Sequence, residues 1–474
     1  MTIKIYKRFF GLLSGAFLIL ASCRVGKNYE RPPVPVPAQF AGIPAGDTLS
    51  IAETGWKEFF TDPVLQQLID SALRGNYDLQ AALTHIDAAG QQVKLAKAAF
   101  LPKVSAQIGA NTSVYGKNTL NGLSYQAFLG VDHLEDYSVE ANLSWEADIW
   151  GKMRRQKEVA LDNYLQTYEA ARAVQTTLVA DVAESYYNLL MLDAQLGIAR
   201  SNLALGDSIL QITRLQKTAG DVTQLAVEQA DVQKQAAALL VPQLEEAIRI
   251  QENALHILTG AMPEGAIDRN ADIAQIPLPD HLEAGVPAAL LSRRPDVRSA
   301  ELGLMAANAQ VGAAQASMYQ VLNITAGGGL DAFKASNWFS IPNSLFGLVG
   351  GTILQPILEG RQLKTQFEEA KIAREQAVIV FRQSVLNAVG EVSNALVTND
   401  KLKQQEQIEG YRLSTLKQAI SHAELLFRSG LANYLEVITA QGNLLQSELD
   451  YANIKREQLS SVVELYRSVG GGTK

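Results

Sequence analysis

Cysteine is almost missing from this chain: Cys23 is the only one in 474 residues. That excludes a disulfide framework and any multi-cysteine zinc or iron–sulfur site. Histidine is nearly as scarce. His85, His133, His256, His281 and His422 are scattered without ligand spacing, so they form no metal cluster. Beyond the N-terminal segment no run of roughly 18 uninterrupted apolar residues occurs, so no helix spans a bilayer by the usual length rule. A mean hydropathy of +0.00 with 47% hydrophobic residues is also too polar for a bundle of transmembrane helices. Excess positive charge is absent. The balance of 41 Lys+Arg against 49 Asp+Glu leaves −8, which argues against a nucleic-acid partner. No P-loop, HExxH or G-x-S-x-G elbow is found, so the chain reads as no enzyme, with neither metal nor cofactor.

What is present begins at the N-terminus. The charges of residues 1–22 are all basic (Lys4, Lys7, Arg8), and residues 9–21 form a short apolar core. This is the pattern of a secretory signal peptide, whose removal would take the net charge to −11. It ends Leu20-Ala21-Ser22-Cys23, similar to a bacterial lipobox, in which the Cys23 thiol would carry a covalent lipid. The alternative is an ordinary signal peptide with a chance cysteine. Each acyl CH2 buried would contribute about 0.8 kcal/mol of anchoring. Arg24 follows, and the lack of Asp there is what lipoprotein sorting to the outer membrane implies. Residues 23–60 then read as a lipidated start and tether. Arg31-Pro-Pro-Val-Pro-Val-Pro37 within it must be extended, because proline fixes φ and disfavours helix in the residue before it. A proline-rich peptide ligand is the rival reading of that stretch.

The remainder is written twice. Asn76-Tyr77-Asp78-Leu79 parallels Arg294-Pro295-Asp296-Val297, and Ile149-Trp150-Gly151-Lys152 parallels Leu358-Glu359-Gly360-Arg361. Val182-Ala183-Glu184 parallels Val389-Gly390-Glu391, and Ala219-Gly220 parallels Ser429-Gly430. The offsets of 218, 209, 207 and 210 imply a duplicated unit, here placed at 61–262 and 291–470 with a linker 263–290 and a tail 471–474.

Each copy has one grammar. A helix opens it (76–100; 295–318). Two strand-like stretches follow. Val139, Ala141, Leu143 and Trp145 alternate with polar neighbours, as do residues 104–108, 322–328 and, less regularly, 344–354. The glycines 327–329 read as close strand packing rather than a phosphate loop. Polar loops with aromatics are expected at 112–136 and 331–343. Neither 152–219 nor 361–429 contains proline, and the apolar steps of three and four from Phe367 to Leu396 mark one helix face. Helices of that length reach about 100 Å. Gly220 and Gly430 interrupt them before returning helices (222–259; 432–468), and Pro242 is expected to break or kink the first of these.

Four strands of membrane length cannot close a barrel, and an open edge is not viable in hydrocarbon. If the strands enter a membrane, several copies must share one barrel; geometry alone permits two, three or four. Trp145, Trp150 and Trp338 are candidates for an interfacial aromatic belt. Arg293 and Arg294, placed just before a Pro-Asp helix start, read as structural.

The lipobox and the tether at 29–37 resemble the outer membrane efflux protein (TolC-like) family, in its lipoprotein branch of OprM- and NodT-type factors. So do Trp145-Glu-Ala-Asp-Ile-Trp-Gly-Lys152, Leu291-Ser-Arg-Arg-Pro-Asp-Val-Arg298, Gln355-Pro-Ile-Leu-Glu-Gly-Arg361 and Gly430-Leu-Ala-Asn-Tyr-Leu-Glu-Val437. The resemblance spans essentially the whole mature chain, in order. It implies a mainly α fold with membrane β-structure: a homotrimer sharing a 12-stranded outer-membrane β-barrel above a long periplasmic α-barrel. It implies an exit duct for drugs or other small molecules, served by a periplasmic adaptor and an inner-membrane pump of the RND type. A protein-secretion duct and a pore-less coiled-coil adaptor lipoprotein are the rivals. By the same resemblance the turns at Gly220 and Gly430 form the periplasmic tip, with Asp221 and Asn433 beside them. Glu436 falls on an acidic gate position. Thr439 stands where Asp is frequent, and Ala432 where a polar residue is.

Overall fold

A computed structural model describes residues 25–40, 50–269, 272–278 and 284–473. The signal segment, Cys23 and His281 lie outside the described residues. The chain divides into two compact units. One takes in residues up to Pro32, Asp87–Leu165 and Glu301–Ile379; the other takes in Pro33–Ile86, Gln166–Ala300 and the chain from Val380 onward.

The duplicated grammar is visible in the order of elements. α1 (Trp56–Phe59) precedes the first copy, which holds α2 (Pro63–Gly75), α3 (Tyr77–Ala98), β1 (Lys103–Val114), α4 (Leu120–Leu129), β2 (His133–Ala147), α5 (Lys152–Ala219) and α6 (Gln224–Leu258). The second holds α7 (Leu290–Arg293), α8 (Pro295–Ala316), β3 (Val321–Ala332), β4 (Leu345–Leu354), α9 (Gln362–Arg428) and α10 (Tyr434–Ser468). None of the helices is long and apolar enough to cross a membrane among the described residues.

Two expectations are corrected. The stretch 112–136 is not a loop throughout: β1 runs to Val114, β2 starts at His133, and α4 lies between them. The Thr119 hydroxyl caps α4 by accepting from the Gly122 amide at 3.1 Å, and Gly130 ends it in the left-handed region at φ 70°. Its sequence LNGLSYQAFL has no apolar period to announce it. Of the break or kink expected at Pro242, the break does not occur: α6 continues through it. Pro242 is exposed, and having no amide hydrogen it leaves the Ala238 carbonyl without its usual helical partner.

In the first unit the strands form one antiparallel sheet in the order β1-β2-β3-β4. The register aligns Ile108, Val139 and Leu330, and aligns Gln107, Glu140 and Gly329. Because side chains alternate along a strand, one face carries Val104, Ile108, Val139, Leu143, Trp145, Ile324, Val349 and Ile353. Val104, Ile108, Val349 and Ile353 on it are exposed. The opposite face carries Ser105, Gln107, Asp136, Glu140, Asn142, Asn323, Thr325 and Thr352. A Cβ on Gly329 would run into the Val139 carbonyl, so this part of the glycine run serves close strand packing.

The second unit has its own core. Trp56, Phe60, Leu65 and Ile69 pack with Val182, Tyr186 and Leu189 of α5, Leu255 of α6, and Val463 and Tyr466 of α10. Phe59 stacks on Tyr466 with ring centroids 4.0 Å apart. Asp62 caps α2 through the Val64 amide at 2.8 Å and accepts from the Tyr186 hydroxyl at 2.7 Å.

Candidate functional site

Three features carry functional meaning: the sheet's borders, the hairpin turns and the N-terminal strap. The sheet is open. β1 pairs only with β2 and β4 only with β3, so among the described residues the outer borders of β1 and β4 have no strand partner. A sheet with one exposed apolar face and two bare edges is incomplete as a single chain.

The three candidate belt tryptophans divide between the ends of the sheet. Trp145 donates from Nε1 to the Phe100 carbonyl at 3.0 Å. Trp150 donates to the Gln320 carbonyl at 2.9 Å and stacks on Tyr319 at 5.0 Å. Both lie where strands meet helices. Trp338 lies at the other end, between Tyr137 at 5.4 Å and Phe339 at 5.1 Å.

The hairpin turns are built alike. Gly220 and Gly430 take φ of 90° and 75°, which only glycine adopts without strain. The Asp221 amide then reaches back to the Gln216 carbonyl, and the Leu431 amide to the Leu426 carbonyl, each at 2.9 Å. Thr223 caps α6 and Asn433 caps α10, the latter accepting from the amides of Leu435 at 2.9 Å and Glu436 at 3.3 Å. Asp221, Gly430 and Asn433 come together around one cavity of about 820 Å³. Glu436 and Thr439 do not line it. They stand exposed, three residues apart and therefore on one face of α10. Glu436 sits in the first turn, where its charge suits the helix dipole.

The strap was not expected as a site. Residues 25–31 form neither helix nor strand, and they do more than space the anchor from the body. Arg155 of α5, fully buried, donates to the carbonyls of Val25 (3.4 Å), Gly26 (3.0 Å) and Lys27 (3.3 Å). Asn308 of α8 also donates to the Lys27 carbonyl, at 3.2 Å. Tyr29 and Arg31 both donate to buried Glu301, at 3.0 Å and at 2.6 and 2.8 Å. Burial, then the Glu301 charge, pushes the Tyr29 phenol up to about 12, so it remains a donor. Deeper in α5, burial and then the neighbouring Glu158 raise the Asp162 carboxyl to about 6.

The two copies also share one joint. Asn76, just before α3, donates from Nδ2 to the Leu258 carbonyl that ends α6, at 3.1 Å. Its counterpart Arg294, just before α8, donates to the Ser468 carbonyl that ends α10, at 3.0 Å, and also binds Asp296 and Glu391. Arg294 is therefore structural, as its place in the sequence suggests.

The model of the outer membrane efflux protein family matches residues 68–261 and 286–471. The chain belongs to the outer membrane efflux protein family. It is similar to the antibiotic efflux pump outer membrane protein ArpC of Pseudomonas putida, at 30% identity over 471 residues covering 96% of this chain and 93% of that protein. It is also similar to the cation efflux system protein CusC of Escherichia coli O6:H1, at 29% identity over 463 residues covering 96% and 97%. The solved structure of the outer-membrane channel OprN aligns with a TM-score of 0.85 and 26% identity, over 95% of this chain and 100% of that one. As a member of this family the chain is an outer-membrane efflux channel, built of long helical hairpins and a four-stranded sheet in two copies of one unit. The family is one of transport channels rather than enzymes.

Proposed function

We propose that three copies of this chain close a 12-stranded barrel in the outer membrane and continue into the periplasm as a helical tube. The complex is the passive exit duct of a tripartite efflux system for drugs or other small molecules. The observation that carries this reading is the open sheet: one apolar face, one polar face and two bare borders. Pairing β1 of one copy with β4 of the next satisfies those borders, and repeating the step closes the ring. The polar face then lines water.

Around the barrel, Trp145 and Trp150 supply one interfacial belt and Trp338 the other. Cys23 carries a covalent lipid, the one non-protein group this reading requires. Two residues beyond it the strap is docked beside the end of β2, where the Val25 amide donates to the Trp150 carbonyl at 3.4 Å. The turns at Gly220 and Gly430, with Asp221 and Asn433, form the tip that meets a periplasmic adaptor, beyond which stands an inner-membrane pump of the RND type. Glu436 and Thr439 face the axis near that tip.

Planar-bilayer recording on protein purified from outer-membrane fractions tests the reading. Discrete single-channel currents from a heat-modifiable trimer are expected. A monomer that passes no current would sink it and favour a pore-less adaptor.

A further inference from the structure

The two bare borders of the sheet end in apolar loops. Val114, the last residue of β1, lies opposite His133, and Leu345, the first of β4, lies opposite Leu330. The connections 115–132 and 333–344 therefore leave the sheet at the same end, each beside an unpaired border. Both display apolar side chains outward. On α4, Leu120, Leu123 and Phe128 are 81%, 58% and 87% exposed; in the other loop Phe333, Phe339 and Ile341 are 50%, 68% and 69% exposed.

Neither loop is slack chain that could fold these groups away. Tyr115 stacks on Tyr125 at 5.2 Å across the α4 loop. In the other, the Ser344 hydroxyl donates to the Asn337 carbonyl at 2.7 Å and the Ser344 amide to the Ser340 carbonyl at 2.8 Å. Clustered, rigidly presented apolar groups mark an interaction surface.

Within one chain the two loops are neighbours across the paired strands β2 and β3, where Trp338 packs on Tyr137, yet these six side chains stay exposed. Once β1 of one copy pairs with β4 of the next, the α4 loop of the first stands beside the 333–344 loop of the second. We propose that α4 of each copy packs its Leu120, Leu123 and Phe128 against Phe333, Phe339 and Ile341 of the neighbouring copy, forming an apolar clasp at the outer rim of the barrel. The occupant of the patch is thus a second copy of this chain. Lipid is the poorer fit. β1 and β2, with 12 and 15 residues, already exceed the roughly 10 a membrane strand needs. The loops beyond them are bordered by Lys117, Asp132 and Lys334. The clasp adds side-chain burial to backbone pairing at each seam and fixes the width of the exit. It rests on the shared-barrel reading above.

The test uses the full, lipidated chain carrying Phe128→Cys and Phe339→Cys, oxidised in native membranes. Cys23 is the only other cysteine, and its sulfur is acylated under the same reading. Native mass spectrometry reports the number of copies independently. Disulfide-linked dimers and trimers in the double variant, and in neither single variant, support the clasp. Leu120→Cys with Ile341→Cys gives a second pair should the first not assemble. A trimer by mass in which neither pair cross-links, and in which Phe128→Cys reacts with a membrane-impermeant maleimide as fast as in denatured protein, overturns the clasp and leaves the barrel. A trimer whose thiol is protected, without cross-links, by lipid alone also overturns it. A monomer by mass overturns the shared barrel itself. Phe128→Ser should lower the temperature at which the trimer dissociates in detergent without preventing its assembly.

Discussion

Arg155 holds Gly26 from below: its buried guanidinium donates to the Gly26 carbonyl at 3.0 Å, while Gly26 lies over Gly312 so closely that a Cβ would come within 2.7 Å of the Gly312 Cα. Gly26 takes φ of 87°, so a side chain is refused on two counts. Removing the guanidinium strands the Val25 and Gly26 carbonyls together and leaves Asn308 alone on that of Lys27. We expect Arg155→Met to destabilise the first unit by about 2–4 kcal/mol. Hydrogen exchange of the 25–31 amides, or limited proteolysis there, should rise strongly in Arg155→Met and in Gly26→Val alike. Unchanged protection in both would show that the strap is held by something else.

The repeat joint gives a paired prediction. Asn76→Ala loses one hydrogen bond to the Leu258 carbonyl and the cap on the Leu79 amide at 2.9 Å, and should cost about 1–2 kcal/mol. Arg294→Ala leaves Asp296, Glu391 and the Ser468 carbonyl without their shared partner, and should cost about 3–5 kcal/mol. Thermal unfolding in detergent orders the two. Equal losses would mean that the copies use the joint equivalently despite the different side chains.

These two sites also mark what could be read from residues alone. The strands were legible because alternation at 139–145 and 104–108 is a local pattern, and the long helices because nearly 70 residues pass without proline in each copy. The duplication was legible because aligned motifs recur in order at nearly constant offsets. The strap was not, because Arg155 binds main-chain carbonyls, which every residue has and no motif records. That α6 would run on through Pro242 was not legible, because one missing amide hydrogen does not by itself decide whether the packed helix around it breaks. At the tip the glycine turns and their caps were visible, but not that Asp221 and Asn433 would share a cavity while Glu436 stands apart from it.

Pro242 is therefore tolerated rather than required. Pro242→Ala restores an amide to a helix already formed and should stabilise the protein by about 1 kcal/mol or more. A raised unfolding temperature checks this. A fall would mean that a proline-imposed bend is needed for packing along α6.

Asp162 sets a pH dependence. Its folded-state carboxyl, at about 6, lies above the ordinary value of 3.8, chiefly through burial. The folded state then binds a proton more tightly than the unfolded one, so this group's contribution falls as pH rises from about 4 to about 6 and stays low above that. Asp162→Asn should raise stability near neutral pH by about 1 kcal/mol and bring little gain at pH 4. Unfolding temperatures of both proteins across that range make the comparison. A gain that does not shrink on acidification would remove Asp162 as its source.

Glu436 is the sharpest test of the tip. Among the described residues it has no ion-pair partner, and its backbone amide is fixed by Asn433 at 3.3 Å, so the first turn of α10 aims its charge reproducibly. In a trimer with that face toward the axis, three carboxylates surround the path of permeating ions, and rings of charge set ion preference. Glu436→Gln keeps the shape and removes the charge. We expect the cation-to-anion permeability ratio, read as a reversal potential in a salt gradient, to fall at least about twofold. Thr439→Asp, one turn on along the same face, should raise it. If both variants leave the reversal potential where it was while conductance is normal, Glu436 is a solvated hairpin charge and the constriction lies elsewhere on the axis.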